Sequence, residues 1–211
     1  MSVPKPEGPW LKQGETLLCF GDSLTANTKG YVSCLQNYLE PKGIRVLNAG
    51  LGGDKTPFAL TRLKAEVIAL KPDAVSIFFG ANDAVIGRGE WRDEPVVSPL
   101  TYKENLMWIV HICRLLGGIQ KFSINTLPGR MEGKAFLEFG DCRTPYCQAA
   151  REAADRMNTR LVPLDTVFQL AWEENRAKVS AEGLLHTTDG IHMTPPANEL
   201  IAKTMLREWN L

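Results

Sequence analysis

Hydroxyl–proline pairs punctuate this chain: Thr56-Pro57, Ser98-Pro99, Thr144-Pro145 and Thr194-Pro195 each head a stretch with helical apolar spacing. A Ser or Thr hydroxyl can cap free amides at a helix start. Proline suits the first helical position because its missing N–H would have no partner there. Those four signals fix the phase of everything between them. Apolar runs at residues 16–20, 44–47, 74–79, 121–126 and 161–164 read as short strands. Helices are expected over residues 31–39, with Val32, Leu35 and Leu39 on one face, and over residues 166–177. The stretch after Thr56-Pro57 carries Leu60, Leu63, Val67 and Leu70; the one after Ser98-Pro99 carries Leu106, Ile109, Val110, Cys113 and Leu116. The last runs through Leu200, Ile201, Met205 and Leu206. Regular alternation of strand and helix predicts the α/β class: a three-layer α/β/α sandwich on a five-stranded parallel sheet, with helices on both faces and right-handed crossovers. Residues 85–97 and 127–143 read as long loops.

With 211 residues the chain is expected to form one domain, residues 1–14 being an extended arm rich in Pro, Gly and charge. Lysine plus arginine equal aspartate plus glutamate at 24 each, and no long basic run appears, so nucleic acid is not an expected partner. No apolar run is long enough to span a bilayer, and residues 1–14 lack the apolar core of a signal peptide. A cytoplasmic location is the default, with a secreted role left open should a leader have been removed. Of the five cysteines, Cys19, Cys34 and Cys113 read as small buried hydrophobes. Cys142 and Cys147 lie where a loop disulfide or a metal site is conceivable, but no Cys-x-x-Cys pair or helical histidine pair accompanies them, and no metal is expected.

Four polar islands interrupt the apolar pattern. Gly21-Asp22-Ser23-Leu24-Thr25 follows the first strand, Asn48-Ala49-Gly50-Leu51-Gly52-Gly53-Asp54 the second, and Gly80-Ala81-Asn82-Asp83 the third. Asp189-Gly190-Ile191-His192 precedes the last helix. Open parallel sheets gather such loops at the carboxyl edge, where ligands bind. A spacing of three lets the Asp189 carboxylate reach the His192 ring, fix its tautomer and leave the other nitrogen free to take a proton. Ser23 then completes a nucleophile–base–acid set. The Ser23 and Gly53 amides and the Asn82 side-chain amide supply donors for a developing oxyanion. Plainer readings exist for each: Ser23 as a helix cap, the glycines as a tight turn, Asn82 and Asp83 as a strand terminator, and Asp189 bonded to its own backbone. A dinucleotide reading of Gly50-Leu51-Gly52 fails because Lys55 stands where the third glycine belongs. Asp165 reads as a strand-end cap, His186 as a loop histidine and His111 as a packed or half-exposed helix residue.

In this order, Gly21-Asp22-Ser23-Leu24, Gly53, Gly80-x-Asn82-Asp83 and Asp189-x-x-His192 resemble the four sequence blocks of the SGNH (GDSL) hydrolases, across nearly the whole chain. The resemblance implies a flavodoxin-like fold and ester hydrolysis without a cofactor. It makes Ser23 nucleophile, His192 base and Asp189 acid, with Ser23, Gly53 and Asn82 forming the oxyanion hole. Residues 77–83 and 189–195 look similar to isoamyl acetate-hydrolysing esterases; residues 48–54 look more like bacterial acylhydrolases and acetylesterases. The α/β-hydrolase fold competes through its chain order, but Thr25 replaces the second glycine of its Gly-x-Ser-x-Gly elbow. The expected substrate is a small-molecule or carbohydrate ester with a short acyl group, acetyl above all. A lysophospholipase or thioesterase is the second reading, and a catalytically silent binding domain the third. Leu24, Asp83, Trp91 and Ile191 are candidates for the substrate pocket. Met131, Phe136 and Phe139 either join Trp91 there or tuck against the core. Oligomeric state is not legible.

Overall fold

A computed structural model describes residues 8–85 and 95–211. Five parallel strands, β1 (Thr16–Gly21), β2 (Arg45–Gly50), β3 (Ala74–Phe78), β4 (Lys121–Asn125) and β5 (Arg160–Val162), form one sheet in the order β2-β1-β3-β4-β5. This is the flavodoxin-like order, and it reverses direction between β1 and β3, opening a crevice at their carboxyl ends. Gly21, the last residue of β1, lies opposite Gly50 of β2 and Phe78 of β3, so the three polar islands leave the sheet side by side.

Eight helices flank the sheet among the described residues: α1 (Ser23–Ala26), α2 (Tyr31–Leu39), α3 (Thr56–Glu66), α4 (Pro99–Gly117), α5 (Gly133–Phe139), α6 (Thr144–Arg156), α7 (Leu164–Glu174) and α8 (Pro195–Glu208). One layer packs α3, α4 and α6 together, and the other packs α2, α7 and α8. Every residue of β3 is buried, as an apolar run covered on both faces requires.

The hydroxyl–proline signals divide into two kinds. Ser98 Oγ accepts from the Thr101 amide at 3.0 Å and Thr194 Oγ1 from the Ala197 amide at 3.4 Å, so both cap as the sequence suggests. In α3 and α6 the threonine is instead the first helical residue, and an aspartate takes its amide, a distant one in α3 and one three residues earlier in α6. The Asp83 carboxylate accepts from Thr56 N at 3.1 Å and Thr56 Oγ1 at 2.5 Å, while Asp141 Oδ1 accepts from Thr144 N at 3.3 Å and Thr144 Oγ1 at 3.0 Å.

Other departures follow from tertiary contacts. Residues 127–143, expected as loop, contain α5; Met131 and Ala135 are buried with Val85, and Phe136, Phe139, Cys142 and Ile191 pack against them. Of the expected arm, residues 1–7 lie outside the described residues; within residues 8–14 Trp10 and Leu11 are buried, and the Trp10 ring meets Trp209 at 4.9 Å. Cys34 is half-buried where full burial was expected, and all five cysteines are free, Cys142 and Cys147 included. No helix among the described residues is long and apolar enough to cross a membrane.

Candidate active site

Close backbone approach shapes the floor of the crevice. A β-carbon on Gly21 would stand 2.5 Å from the Phe78 carbonyl oxygen, and one on Gly50 would stand 2.2 Å from the Ala26 amide nitrogen. Glycine is therefore required at both positions for contact reasons, and their pairing lets α1 begin directly above the sheet edge. Asp22 caps α1 with Oδ1 accepting from the Leu24 amide at 3.0 Å, which leaves half-buried Ser23 as the first helical residue. Asn48 Nδ2 donates to the Thr25 carbonyl at 2.7 Å and the Leu51 amide to the Gly21 carbonyl at 3.0 Å, tying the β2 loop to the serine loop.

Gly53 has φ +74, a left-handed conformation that glycine adopts without strain, and open space beside it. Asn82 Nδ2 donates one hydrogen to the Asp54 carbonyl at 2.9 Å. That bond fixes which end of the amide is nitrogen and leaves its second N–H unspent. Among the described residues the backbone N–H groups of Ser23 and Gly53 likewise have no acceptor. Three donors on neighbouring loops are thus free.

Before α8, His192 Nδ1 meets Asp189 Oδ2 at 2.7 Å, while Asp189 Oδ1 accepts from the amides of Ile191 at 2.9 Å and His192 at 2.7 Å. Burial alone would raise the Asp189 pKa. The bonds from the His192 ring and from both amides outweigh it and hold the carboxyl below its ordinary value. An ionised Asp189 places the proton on Nδ1 and leaves Nε2 with its lone pair. No hydrogen bond joins His192 to Ser23 Oγ in this structure; each side chain is exposed enough to meet a ligand.

Two residues that sequence reasoning passed over hold this turn in place. Glu132, 2% exposed, accepts from the amides of Leu185, His186 and Thr187 and from the Thr187 hydroxyl at 2.7 to 3.1 Å, and its own amide donates to the Gly190 carbonyl at 3.1 Å. Asn198, on α8, accepts from the Tyr31 amide and donates to the carbonyls of Met193 and Thr194. A buried glutamate in an apparent loop and an asparagine inside a helix carry no local sequence signal; their roles exist only once distant segments meet.

Of the pocket candidates, Leu24 is buried in the main core, and Asp83 is fully buried with its carboxylate engaged by Thr56. Neither side chain lines open space. Ile191 packs against the small Val85–Met131–Ala135 cluster, which takes Phe136 and Phe139 as well, so these residues steady the histidine turn from below. Trp91 lies outside the described residues. Asp165 Oδ1 accepts from Thr126 Oγ1 and pairs with Arg151 Nη2 at 2.6 Å, a structural anchor. His186 packs its ring on Phe168 and Trp172, and burial depresses its pKa. His111 is exposed on α4, its ring edge-on to Trp108.

Burial drives the carboxyl groups beneath the crevice the other way from Asp189. Desolvation pushes Asp22 up to about 7 and Asp83 up to about 6, against the hydrogen bonds from Leu24 and Thr56 respectively.

A model of the GDSL-like Lipase/Acylhydrolase family matches residues 19–200. An acetylxylan esterase of Geobacillus stearothermophilus is 39% identical over 221 residues, covering 92% of this chain and 94% of its own. An uncharacterized lipoprotein, YqeF of Bacillus subtilis (strain 168), is 27% identical over 89% of this chain and 86% of its own. Among solved structures, the acetylxylan esterase Axe2 of Geobacillus stearothermophilus superposes with a TM-score of 0.78 at 25% identity, covering 95% and 96% of the two chains. Catalytic mutants of that enzyme replace a serine, an aspartate and a histidine by alanine, the last two lying three positions apart.

Proposed function

From its place in the GDSL-like lipase/acylhydrolase family, to which this chain belongs as an ester-hydrolysing enzyme, we propose that it removes short acyl groups, acetyl above all, from an alcohol or carbohydrate through an acyl-enzyme on Ser23. The observation that carries this reading is the 2.7 Å bond from His192 Nδ1 to Asp189 Oδ2, which readies Nε2 as a base; three N–H donors stand unspent on the loops after β1, β2 and β3. Substrate binding then draws Ser23 Oγ and Nε2 into hydrogen-bond reach, since catalytic bonds are often long before a ligand arrives.

In the first step Nε2 takes the Ser23 proton as Oγ attacks the ester carbonyl carbon. The carbonyl pair moves onto oxygen, where the Ser23 and Gly53 amides and Asn82 Nδ2 hold the charge. Collapse expels the alcohol, which leaves with the proton from His192, and the acyl group stays on Oγ. Water repeats the attack with His192 again as base, the acid departs and Ser23 regains its proton. Asp189 stays ionised throughout and stabilises the imidazolium.

Support for an acetyl group on sugar comes from the full-length similarity to an acetylxylan esterase. The test is a series of nitrophenyl esters from acetyl to long acyl, run beside acetylated xylooligosaccharides, with Ser23→Ala as control. The reading expects highest kcat/KM at acetyl, deacetylation of the oligosaccharide and stoichiometric fluorophosphonate labelling that Ser23→Ala abolishes. A maximum at long acyl chains turns the assignment to a lysophospholipase or thioesterase type. Folded protein with neither turnover nor label overturns the acyl-enzyme.

A further inference from the structure

Arg62, on α3, turns its charge inward: its side chain is 9% exposed and that of Asp54 1%. Nε and Nη2 both donate to Asp54 Oδ2, at 2.9 and 2.6 Å. At longer range Nη2 reaches the Gly21 carbonyl at 3.4 Å and Nη1 the Ala49 carbonyl at 3.5 Å, and Nη1 also pairs with Glu66. The guanidinium lies over the Phe20 ring, 4.7 Å from its centre. One planar fork thus spans the ends of β1 and β2 and the loop that follows β2, a geometry that the single ammonium of a lysine does not reproduce. Burial raises the Asp54 pKa, and the hydrogen bond from Arg62 is foremost among the effects opposing it.

Asp54 stands between two of the oxyanion donors. It follows Gly53, and its carbonyl accepts from Asn82 Nδ2 at 2.9 Å. The space beside Gly53 is open, so this turn is anchored from the Asp54 side chain. Because the amide of Asn82 is planar, the bond it makes to the Asp54 carbonyl fixes where its second N–H points. A donor aimed at developing charge loses much of its effect when it is displaced.

Resting on the reading of Ser23, Gly53 and Asn82 given above, we propose that Arg62 is a positioning residue for the oxyanion hole: by clamping the Asp54 carboxylate against the ends of β1 and β2, it sets the Asp54 carbonyl and, through that carbonyl, the direction of the unspent Asn82 N–H. Arg62 does not touch substrate in this arrangement. It acts through Asp54.

The test is a double-mutant cycle on nitrophenyl acetate: wild type, Arg62→Met, Asn82→Ala and Asn82→Ala/Arg62→Met. Wild-type turnover, its loss in Ser23→Ala and the fall in Asn82→Ala test the underlying reading separately. If those fail, both readings fall; if they hold, the cycle judges Arg62 alone. Misplaced donors weaken transition-state binding more than substrate binding, so folded Arg62→Met is expected to lose about 10- to 100-fold in kcat with KM within about threefold. Once the Asn82 amide is gone its direction no longer matters, so adding Arg62→Met to Asn82→Ala is expected to cost no more than about a further threefold in kcat. Should Arg62→Met not fold, the same cycle is run with Arg62→Lys, which keeps the charge beside Asp54 but not the fork, and a smaller kcat loss that again shrinks in the Asn82→Ala background supports the proposal. A folded Arg62→Met with near-wild-type kcat overturns it. So does an equal fold-loss with and without Asn82, a loss carried by KM, or failure of both Arg62 variants to fold, which makes Arg62 an anchor of the fold alone.

Discussion

The Tyr31 amide donates to Asn198 Oδ1 at 3.0 Å, across 167 positions of sequence. Asn198 Nδ2 turns back to the Met193 and Thr194 carbonyls at 3.1 Å. One side chain therefore fastens the helix that follows the serine loop to the residues that follow His192. Truncation leaves a buried amide without its acceptor, which costs about 1–3 kcal/mol. Asn198→Ala is expected to lower the unfolding free energy from urea titration by that margin and to reduce kcat in the protein that remains folded; an unchanged kcat with an unchanged midpoint refutes the clamp.

Asn82 offers a cleaner dissection, because its side chain is half-buried and makes one bond to the Asp54 carbonyl. Loss of one oxyanion donor typically costs about 10²- to 10³-fold in kcat. Asn82→Ala should show that loss on acetyl esters with little change in thermal midpoint. A rate within a few fold of wild type, roughly, removes Asn82 from the oxyanion hole.

Replacing Asp189 by Asn keeps the shape but no longer dictates the His192 tautomer. In a serine protease the equivalent change costs about 10⁴-fold in kcat. Here Asp189 and His192 are both about half exposed, so solvent can partly reorient the ring, and a loss of about 10²- to 10⁴-fold is expected. Steady-state kinetics at neutral pH decide it.

The glycines divide by cause, and substitution should expose the division. At Gly50 a β-carbon meets the Ala26 backbone at 2.2 Å, so Gly50→Ala cannot be accommodated without displacing α1 from the sheet edge. Gly53 has φ +74 with nothing within 4 Å, so Gly53→Ala meets only the left-handed penalty of about 1–2 kcal/mol. Circular dichroism melts are expected to show a folded Gly53→Ala and an unfolded or severely weakened Gly50→Ala.

Stability should fall as pH rises through the acid range. Burial lifts Asp22 to about 7, above its unfolded value of 3.8, so the folded state holds a proton there that the unfolded chain has already released. Where the native state binds more protons, unfolding free energy decreases with pH, here from about 4 to about 7, and levels off above. Asp22→Asn removes this contribution and should reduce the slope of the midpoint-versus-pH curve over that window, most clearly above about 6, where Asp83 no longer contributes. Asp189 acts oppositely: its lowered pKa adds stability that is present above the unfolded value and lost as pH falls through the folded one. A wild-type curve already flat between those limits would refute the Asp22 assignment.

A parallel sheet was implied by the alternation of apolar runs and helical stretches, because parallel strands need crossovers and crossovers have one hand; its flavodoxin-like arrangement was implied only by the family resemblance. Thr16 through Phe20, the Ala74–Phe78 run and the helix of Tyr31–Leu39 were legible for the same local reason: their side-chain period matches the element they form. So was the Asp189–His192 bond, since three residues of turn suffice to make it. Helix α5 escaped notice because its apolar residues serve a satellite cluster whose other members lie at Val85 and Ile191.

What the chain sequence determined by itself was therefore periodicity and short-range chemistry: an α/β sheet with its polar loops at one edge, and an acid placed beside a base. Which carboxylates would be stripped of water, that Glu132 would hold the histidine turn, and that Leu24 and Asp83 would face inward were decided only in three dimensions. The reason is that desolvation and buried charge compensation depend on every neighbour at once. A residue's own sequence surroundings supply few of those neighbours.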